Sequence, residues 1–334
     1  MGIKVAILGA TGAVGREMIK VLEERNFPLE ELRLLASARS VGLKIPFRGS
    51  ELTVQEAKED SFGGIDIVLG AASNAVAKQL APAIKAAGAV FVDNSSAFRM
   101  CEDVPLVVPE INPEDIFAHN GIIANPNCST IITLTAINAL HKISPIKTMV
   151  ASTYQAVSGA GAGGPVELEN QMKALANGET VETGVFPYQI AYNLIPQIGS
   201  FNEDGYSTEE MKMQNEGRKI LHAPELLVSC TCVRVPVVRS HSISVQLVTE
   251  RPISVEEARE AIANAPDCVL KDDGANKVYP MPLMTSDQDL VFVGRIRKDL
   301  TNENGLCLWC TGDQVRKGAA TNAIQIAETL VKGK

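Results

Sequence analysis

The hexapeptide Asn125-Pro126-Asn127-Cys128-Ser129-Thr130 sets one thiol between an extended apolar stretch, Gly121 to Ala124, and an apolar helical pattern, Ile131 to Leu140. The first N–H groups of a helix have no partner within it, and the helix dipole places partial positive charge there. A thiol at that spot is more easily ionised, and the thiolate is the nucleophile. The same N–H groups can hold the oxyanion that forms when sulfur adds to a carbonyl. On its own, the hexapeptide fits a small, inert, buried cysteine beside a helix cap equally well.

A second stretch raises the case for chemistry. Ile3 to Leu8 reads as a buried parallel strand that runs into Gly9-Ala10-Thr11-Gly12-Ala13-Val14-Gly15, then into the helical pattern Val14, Met18, Val21, Leu22. The glycines are spaced G-x-x-G-x-x-G, a variant of the dinucleotide fingerprint. They permit a tight turn and bring backbone N–H groups to a pyrophosphate at a helix N-terminus. Gly9, Thr11, Gly12, Ala13, Val14 and Gly15 are therefore expected at a cofactor. The plain alternative is a glycine-rich turn in some other α/β protein. The next apolar strand, Leu32 to Ala36, ends in Ser37-Ala38-Arg39-Ser40. An NAD site usually has an acidic residue there for the ribose 2′-hydroxyl. Hydroxyls and an arginine suit a 2′-phosphate instead, so NADP is expected, through Ser37, Arg39 and Ser40. Arg39 as an ordinary solvated loop residue is the competing reading.

These groups need a scaffold. Through residue 127 the sequence alternates strand and helix patterns: Ile65 to Leu69, Ala75 to Ala87, Val90 to Asp93, Gly121 to Ala124. That alternation predicts a doubly wound parallel sheet, with ligand loops at the strand C-terminal ends. Ala71 to Asn74, which includes Ser73, and Asp93 to Arg99, which includes Asn94, are such loops. After Cys128 the pattern changes. Lys147 to Thr153 reads as a strand leading to Tyr154-Gln155-Ala156-Val157-Ser158-Gly159-Ala160-Gly161. Helical stretches follow at 165–177 and 207–221, then strand-like runs at 226–238, 242–249, 290–297 and 306–311. This predicts an α+β second domain on a mixed or antiparallel sheet. The expected fold is α/β, a doubly wound dinucleotide-binding domain plus an α+β catalytic and dimerisation domain. The expected boundaries are 1–127, an NADP-binding domain completed by a C-terminal helix at 314–334, and 128–313.

Composition sets the outer limits. A chain of 334 residues accommodates two domains and a sizeable core. A net charge of −8 argues against nucleic acid as a main partner. No apolar run is long enough for a bilayer and no signal peptide is expected. Seven cysteines, an odd number without a framework, fit a reducing cytoplasm. Cys230-x-Cys232 and Cys307-x-x-Cys310 read as structural, since none of the four histidines lies near them, and no metal is expected.

Together these motifs carry a family resemblance. The G-A-T-G-A-V-G turn, Ser37-Ala38-Arg39-Ser40, Asp93-Asn94-Ser95-Ser96-Ala97-Phe98-Arg99 and Pro126-Asn127-Cys128-Ser129-Thr130 resemble aspartate-β-semialdehyde dehydrogenases of the bacterial type. So do Ser152 to Gly161, Arg234-Val235-Pro236-Val237 and Arg316-Lys317-Gly318-Ala319-Ala320-Thr321-Asn322. The resemblance runs nearly end to end. It implies reversible, NADP-dependent reductive dephosphorylation of L-aspartyl 4-phosphate to the semialdehyde, through a Cys128 thioester. It also implies a place in lysine, diaminopimelate, threonine, methionine and isoleucine biosynthesis, and a homodimer formed through the second domain, with a small-molecule substrate and inorganic phosphate as partners.

The resemblance also assigns roles. His241 matches the acid–base residue, and its ordinary pKa near neutrality suits proton exchange. Arg234 matches the ligand of the substrate α-carboxylate, which its planar fork can grip by two bonds. Gln155 matches an orienting amide, and Asn127 a support for the oxyanion or phosphate. Glu216 is implied at the substrate amine, and Lys219, Arg99 and Asn94 at the phosphate. Ser158, Gly159 and Gln314 are implied near the nicotinamide, although Gly312-Asp313-Gln314 stands where many relatives have Ser-Asp-Asn. Seven residues separate Arg234 from His241, so one straight strand would point them to opposite faces. Pro236 and the Arg239-Ser240 corner must bend the chain if both line one pocket.

Three rivals are weighed. N-acetyl-γ-glutamyl-phosphate reductases share the chemistry but typically have Pro-Gly-Cys-Tyr at the nucleophile. Glyceraldehyde-3-phosphate dehydrogenases would want an acidic residue where Arg39 stands. A catalytically silent dinucleotide-binding protein would have no reason to keep Cys128, Gln155, Arg234 and His241 together.

Overall fold

The computed structural model describes residues 2–333, which form two compact units, 2–127 with 319–333, and 128–318. The first unit follows the strand–helix alternation: β1 (Ile3–Leu8), α1 (Ala13–Glu24), β2 (Leu29–Ala36), a hairpin of β3 (Lys44–Phe47) and β4 (Ser50–Thr53), β5 (Gln55–Glu56), β6 (Ile67–Gly70), α2 (Asn74–Ala86), β7 (Val90–Asp93) and β8 (Ile122–Ala124). The main sheet has the order β5-β2-β1-β6-β7-β8 with every pair parallel. Its central strands are apolar on both faces because helices cover both. Strand order reverses between β1 and β6, the switch point at which such sheets bind ligands.

The C-terminal helix, Thr321–Lys332, packs on α1 in the same unit. Arg25 grips Glu328 with two bonds of 2.8 and 2.7 Å. This helix is shorter than the sequence predicts. Asp313 accepts the N–H groups of Val315 and Arg316, and Arg316–Ala320 then winds as a single π-turn before the α-helix begins. Residues 314–318 therefore group with the second unit.

The second unit comprises α3 (Cys128–Ile143), β9 (Ile146–Gln155), α4 (Gly163–Asn177), α5 (Thr208–Ile220), β10 (Leu227–Arg234), β11 (His241–Thr249), α6 (Val255–Ala263), β12 (Cys268–Leu270), β13 (Val291–Lys298) and β14 (Gly305–Gly312). Its sheet is mixed, in the order β10-β9-β11-β14-β13-β12. The β10–β9 and β12–β13 pairs are parallel and the rest antiparallel. Helix α3 is buried nearly all round, so it is a core helix rather than a surface one. Cys230 and Cys232 are buried on β10 with their sulfurs 3.8 Å apart. Cys230 is pushed up in pKa by its contact with Cys232 and by burial. All seven cysteines are unbridged, and among the described residues no helix is long and apolar enough to cross a membrane.

Candidate active site

Cys128 is the first residue of α3 and half-buried, directly after the buried Asn127. Because α3 is sunk in the core of its unit, the thiol sits at a fixed helix N-terminus. Gly318 passes close behind it. A Cβ at 318 would lie 2.8 Å from the Cys128 Cβ and 3.2 Å from its Cα, so only glycine allows the approach. Asp313 fastens this loop. Its fully buried carboxylate accepts Val315 N–H (2.9 Å), Arg316 N–H (3.1 Å), Asp287 N–H (2.7 Å) and Arg239 Nε–H (2.6 Å). Sequence reasoning placed no role on Asp313.

Three strand ends lie level beside one another. Gln155 closes β9 and is the register partner of Arg234, which closes β10. On the other side of β9, Ser242 pairs with Tyr154, so His241 at the start of β11 comes level with Gln155. The seven-residue spacing is thereby resolved. Arg234 and His241 lie on two strands that flank a third, and residues 235–240 turn the chain between them. Ser240 takes a left-handed φ of 73°, and its N–H is held by Gln314 Oε1 at 2.8 Å.

Side chains converge from this row. A Cβ added to Gly159 would lie 2.8 Å from Arg234 Nη1 and 3.2 Å from His241 Nε2, so both groups face the space that Gly159 leaves open. Arg234 is only 6% exposed. Its Nη1 donates to Ala156 O at 2.7 Å, and its guanidinium lies 6.0 Å from the Phe186 ring centroid. Burial lowers its pKa, and electrostatic coupling to Cys128, Glu209 and Cys232 opposes that shift. Cys128 is thus near enough to couple to Arg234.

His241 is fully buried, and its Nδ1 accepts the Ala156 N–H at 3.1 Å. That bond assigns the proton of the neutral ring to Nε2. Burial, reinforced by Arg234 and partly offset by Glu209, holds its pKa down to about 3. The ring is therefore neutral at neutral pH. Gln155 Oε1 accepts from Thr153 Oγ1 at 3.0 Å, and its Nε2 donates to Glu209 Oε1 at 3.2 Å. The same Nε2 lies 3.4 Å from His241 Nε2. Two N–H donors cannot bond each other, so the pair is suited to donate together to one oxygen in front of both.

Helix α5 brings one carboxylate to this row. Glu209 reaches Gln155, and Glu216, two turns later on the same face, is 2% exposed. Lys219, three residues after Glu216, is half-buried. Ser158 and Gln314 also meet. Gln314 Nε2 donates to Ser158 Oγ, which donates to Val238 O.

In the first unit, a pocket of about 330 Å³ lies at the carboxyl ends of β1, β2 and β6. Gly9, Thr11, Gly12, Ser37, Ala38, Ala71 and Ala72 line it, and Val76 and Leu80 of α2 add an apolar wall. The three glycines have different tasks. Gly9 has φ 91°, and a Cβ there would lie 2.5 Å from Ala71 O. A Cβ at Gly15 would lie 2.2 Å from Gly9 O, which locks α1 against the turn. Gly12 has more room, with Gly9 O at 3.4 Å, and it caps α1 with no side-chain bond and no acidic residue in the first turn. Ala13 and Val14 are the first residues of that helix. Its leading N–H groups and the bare glycine cradle fit a dinucleotide pyrophosphate. Thr11 Oγ1 lies 3.3 Å from Ser40 Oγ, and Arg39 is exposed beside them in a short 3-10 turn. Ser73 caps α2 through a long contact, Val76 N–H to Oγ at 3.5 Å.

Arg99 is buried in the same unit. Its Nε donates to Asn125 O at 3.0 Å and its Nη2 to Asn94 O at 2.8 Å. Asn94 Oδ1 accepts from Asn125 Nδ2 at 2.7 Å, and Asn322 Nδ2 donates to Asn125 Oδ1 at 2.7 Å. Asn94 thus works here as a brace for the Arg99 loop. Asp93 below it is fully buried, and desolvation raises its pKa against the hydrogen bonds from Ser95 and the charge of Arg99.

Comparison with known proteins follows this division. The semialdehyde dehydrogenase NAD binding domain matches residues 4–119, and the semialdehyde dehydrogenase dimerisation domain matches residues 137–317. The aspartate-semialdehyde dehydrogenase of Aquifex aeolicus is 55% identical over 336 residues, 99% of each chain. The solved structure of aspartate semialdehyde dehydrogenase II from Vibrio cholerae complexed with ASA has a TM-score of 0.97 at 44% identity, covering 99% of each chain. That of aspartate semialdehyde dehydrogenase with NADP from Candida albicans has a TM-score of 0.78 at 26% identity, again over 99% of each. Similarity of this degree over the whole length, matched in both units, means that the chain belongs to the aspartate-semialdehyde dehydrogenase family.

Proposed function

We propose that the chain catalyses the reversible, NADP-dependent reductive dephosphorylation of L-aspartyl 4-phosphate to L-aspartate 4-semialdehyde. The step serves synthesis of lysine and diaminopimelate, threonine, methionine and isoleucine. The observation that carries this reading is the level row of Arg234, Gln155 and His241, with Cys128 close enough to couple to it electrostatically. The names of the relatives supply the substrate.

The Cys128 thiolate attacks the acyl phosphate carbonyl, and the developing oxyanion takes N–H groups from Gln155 Nε2, His241 Nε2 and the start of α3. Phosphate departs and leaves a thioester on Cys128. Arg99 and Lys219 neutralise the phosphate, with Asn127 and Asn94 beside them in role. Bound NADPH supplies the hydride that reduces the thioester carbon. His241, kept neutral by burial, holds its Nε2 proton against the reacting oxygen, and collapse of that oxyanion returns the aldehyde and the Cys128 thiolate. Arg234 grips the α-carboxylate with its fork and Glu216 accepts from the α-ammonium, so the reacting carbonyl is presented to sulfur. Ser158, Gly159 and Gln314 shape the nicotinamide side, and the glycine turn with Ser37, Arg39, Ser40 and Ser73 holds the remainder of the cofactor. A Candida relative solved with NADP supports the choice of dinucleotide.

The matched dimerisation domain supports a homodimer, and the unbridged cysteines suit the cytoplasm. The test is NADPH formation from aspartate semialdehyde with and without phosphate, repeated with NAD⁺. Phosphate-dependent turnover that prefers NADP⁺ is expected. Turnover that ignores phosphate would overturn the acyl-phosphate reading.

A further inference from the structure

We propose that Glu209 is a positioning residue that fixes which end of the Gln155 amide faces the reacting oxygen; this rests on the donor role assigned to Gln155 above. A glutamate in the first turn of a helix ordinarily serves the helix dipole. On α5 that duty falls to the neighbouring Glu210. Its Oε2 accepts the Ser207 N–H at 2.6 Å while its own N–H reaches Ser207 Oγ, which closes a capping box, and its Oε1 takes the Cys232 N–H at 2.9 Å. Glu209 is turned elsewhere. It is 8% exposed, its Oε1 accepts from Gln155 Nε2 at 3.2 Å, and its Oε2 pairs with Lys212 at 2.7 Å.

An amide can lie either way round in a pocket of its shape, and only its partners decide. Thr153 Oγ1 donates to Gln155 Oε1 at 3.0 Å, and Glu209 accepts from Nε2. With the amide reversed, its carbonyl oxygen would face a carboxylate oxygen and its NH₂ a hydroxyl. Glu209 therefore keeps the NH₂ on the side of His241 Nε2, 3.4 Å away. A hydroxyl alone can donate or accept, so Thr153 cannot enforce this orientation. The carboxylate can, because it only accepts. The charge has a second use. Arg234 would otherwise bear alone on the buried imidazole, and Glu209 opposes it from α5. Lys212 on the same helix, Arg234 and Cys232 on β10 and Cys128 on α3 also bear on this cluster.

The test is a double-mutant cycle with Glu209→Gln and Gln155→Ala, read as kcat and semialdehyde KM separately, with melting temperature measured for each variant. Glu209→Gln keeps the shape but can donate or accept, so the amide orientation is released. Its kcat should fall roughly 10- to 100-fold while KM changes less than about threefold, and adding it to Gln155→Ala should cost little more. If the two losses multiply, or if Glu209→Gln leaves kcat within about twofold, the positioning role is overturned while the role of Gln155 stands. If Gln155→Ala itself keeps kcat, both readings fall. A further variant, Glu209→Asp, keeps the acceptor-only character and should recover part of the lost kcat. Equal damage from Asp and Gln would also overturn the proposal.

Discussion

The two units build their candidate sites from different materials. In the first, the pocket is backbone. Gly9 turns, Gly15 packs, Gly12 leaves room, and the N–H groups of α1 point outward with no side chain to cap them. In the second, the site is a set of buried side chains in mutual balance. Arg234, His241, Gln155 and Glu209 are each under a tenth exposed, and each affects the protonation or orientation of another. A backbone site tolerates most changes except at its glycines. A side-chain network is vulnerable at every member, because a half-satisfied buried network costs more than an apolar one.

The largest effect expected from this contrast is at Gly15. A methyl there would meet Gly9 O at 2.2 Å, so Gly15→Ala should lower unfolding stability by about 3 kcal/mol or more. Gly12→Ala, with 3.4 Å of room, should keep its stability and lose mainly NADP affinity. Denaturant unfolding and NADP titration separate the two. Similar stability loss at both positions would break the assignment of separate tasks.

Next is the pair of arginines, one in each unit. Arg234→Lys keeps the charge but loses the fork, so kcat/KM for the semialdehyde should drop by on the order of two decades, with little change in phosphate KM. Arg99→Ala should do the reverse, and arsenate should be affected like phosphate. If each mutant mainly damaged the other's ligand, the roles would have to be exchanged.

Arg39→Ala is expected to be milder, because its target is one exposed charged contact. It should cost about 1.5–3 kcal/mol in kcat/KM with NADP and far less with NAD. An equal loss with both dinucleotides would remove Arg39 from the 2′-phosphate.

The smallest effect concerns His241 and pH. Its folded pKa is depressed to about 3 from an ordinary 6.5. The unfolded chain therefore binds the proton first as pH falls. The stability that the neutral ring contributes is complete above 6.5 and is lost progressively toward 3. Between pH 8 and 5.5 the protein should lose on the order of 1 kcal/mol more than His241→Asn does, as read from denaturant midpoints. Parallel curves for the two proteins would show that the imidazole titrates normally.

The contrast also explains what could be read from the sequence. The glycine turn, the strand ends around it and Cys128 at a helix start are local patterns, and they fell where the periodicity put them. The strands expected at 147–153, 242–249 and 306–311 were also legible, and the structure extends them to 146–155, 241–249 and 305–312. The row at the active site was not. It depends on the register of β9 against β10 and β11, which lie about 80 residues further along the chain, and a single strand's period cannot encode that. The roles of His241 and Glu216 came from the family resemblance alone. Glu209 and Asp313 carried no signal, because an acid in a first turn or after a strand is commonplace. Two elements were missed with less excuse. Ser254 with Glu257 three residues on is a helix-start signature, and Ser254 does cap α6 at 3.0 Å. The β3–β4 hairpin turns on Arg48-Gly49, both left-handed, where the familiar signal would be Asn-Gly.

The central claim is that Cys128 forms a covalent acyl intermediate at the start of α3. The most direct measurement is to mix the protein with aspartyl phosphate in the absence of NADPH, follow phosphate release, and locate any adduct by peptide mass spectrometry. The account predicts a burst of about one phosphate per active chain and an aspartyl group on Cys128, with both lost in Cys128→Ala and Cys128→Ser while NADP binding persists. A burst that survives those substitutions, or an aspartyl group found on another residue, would contradict it.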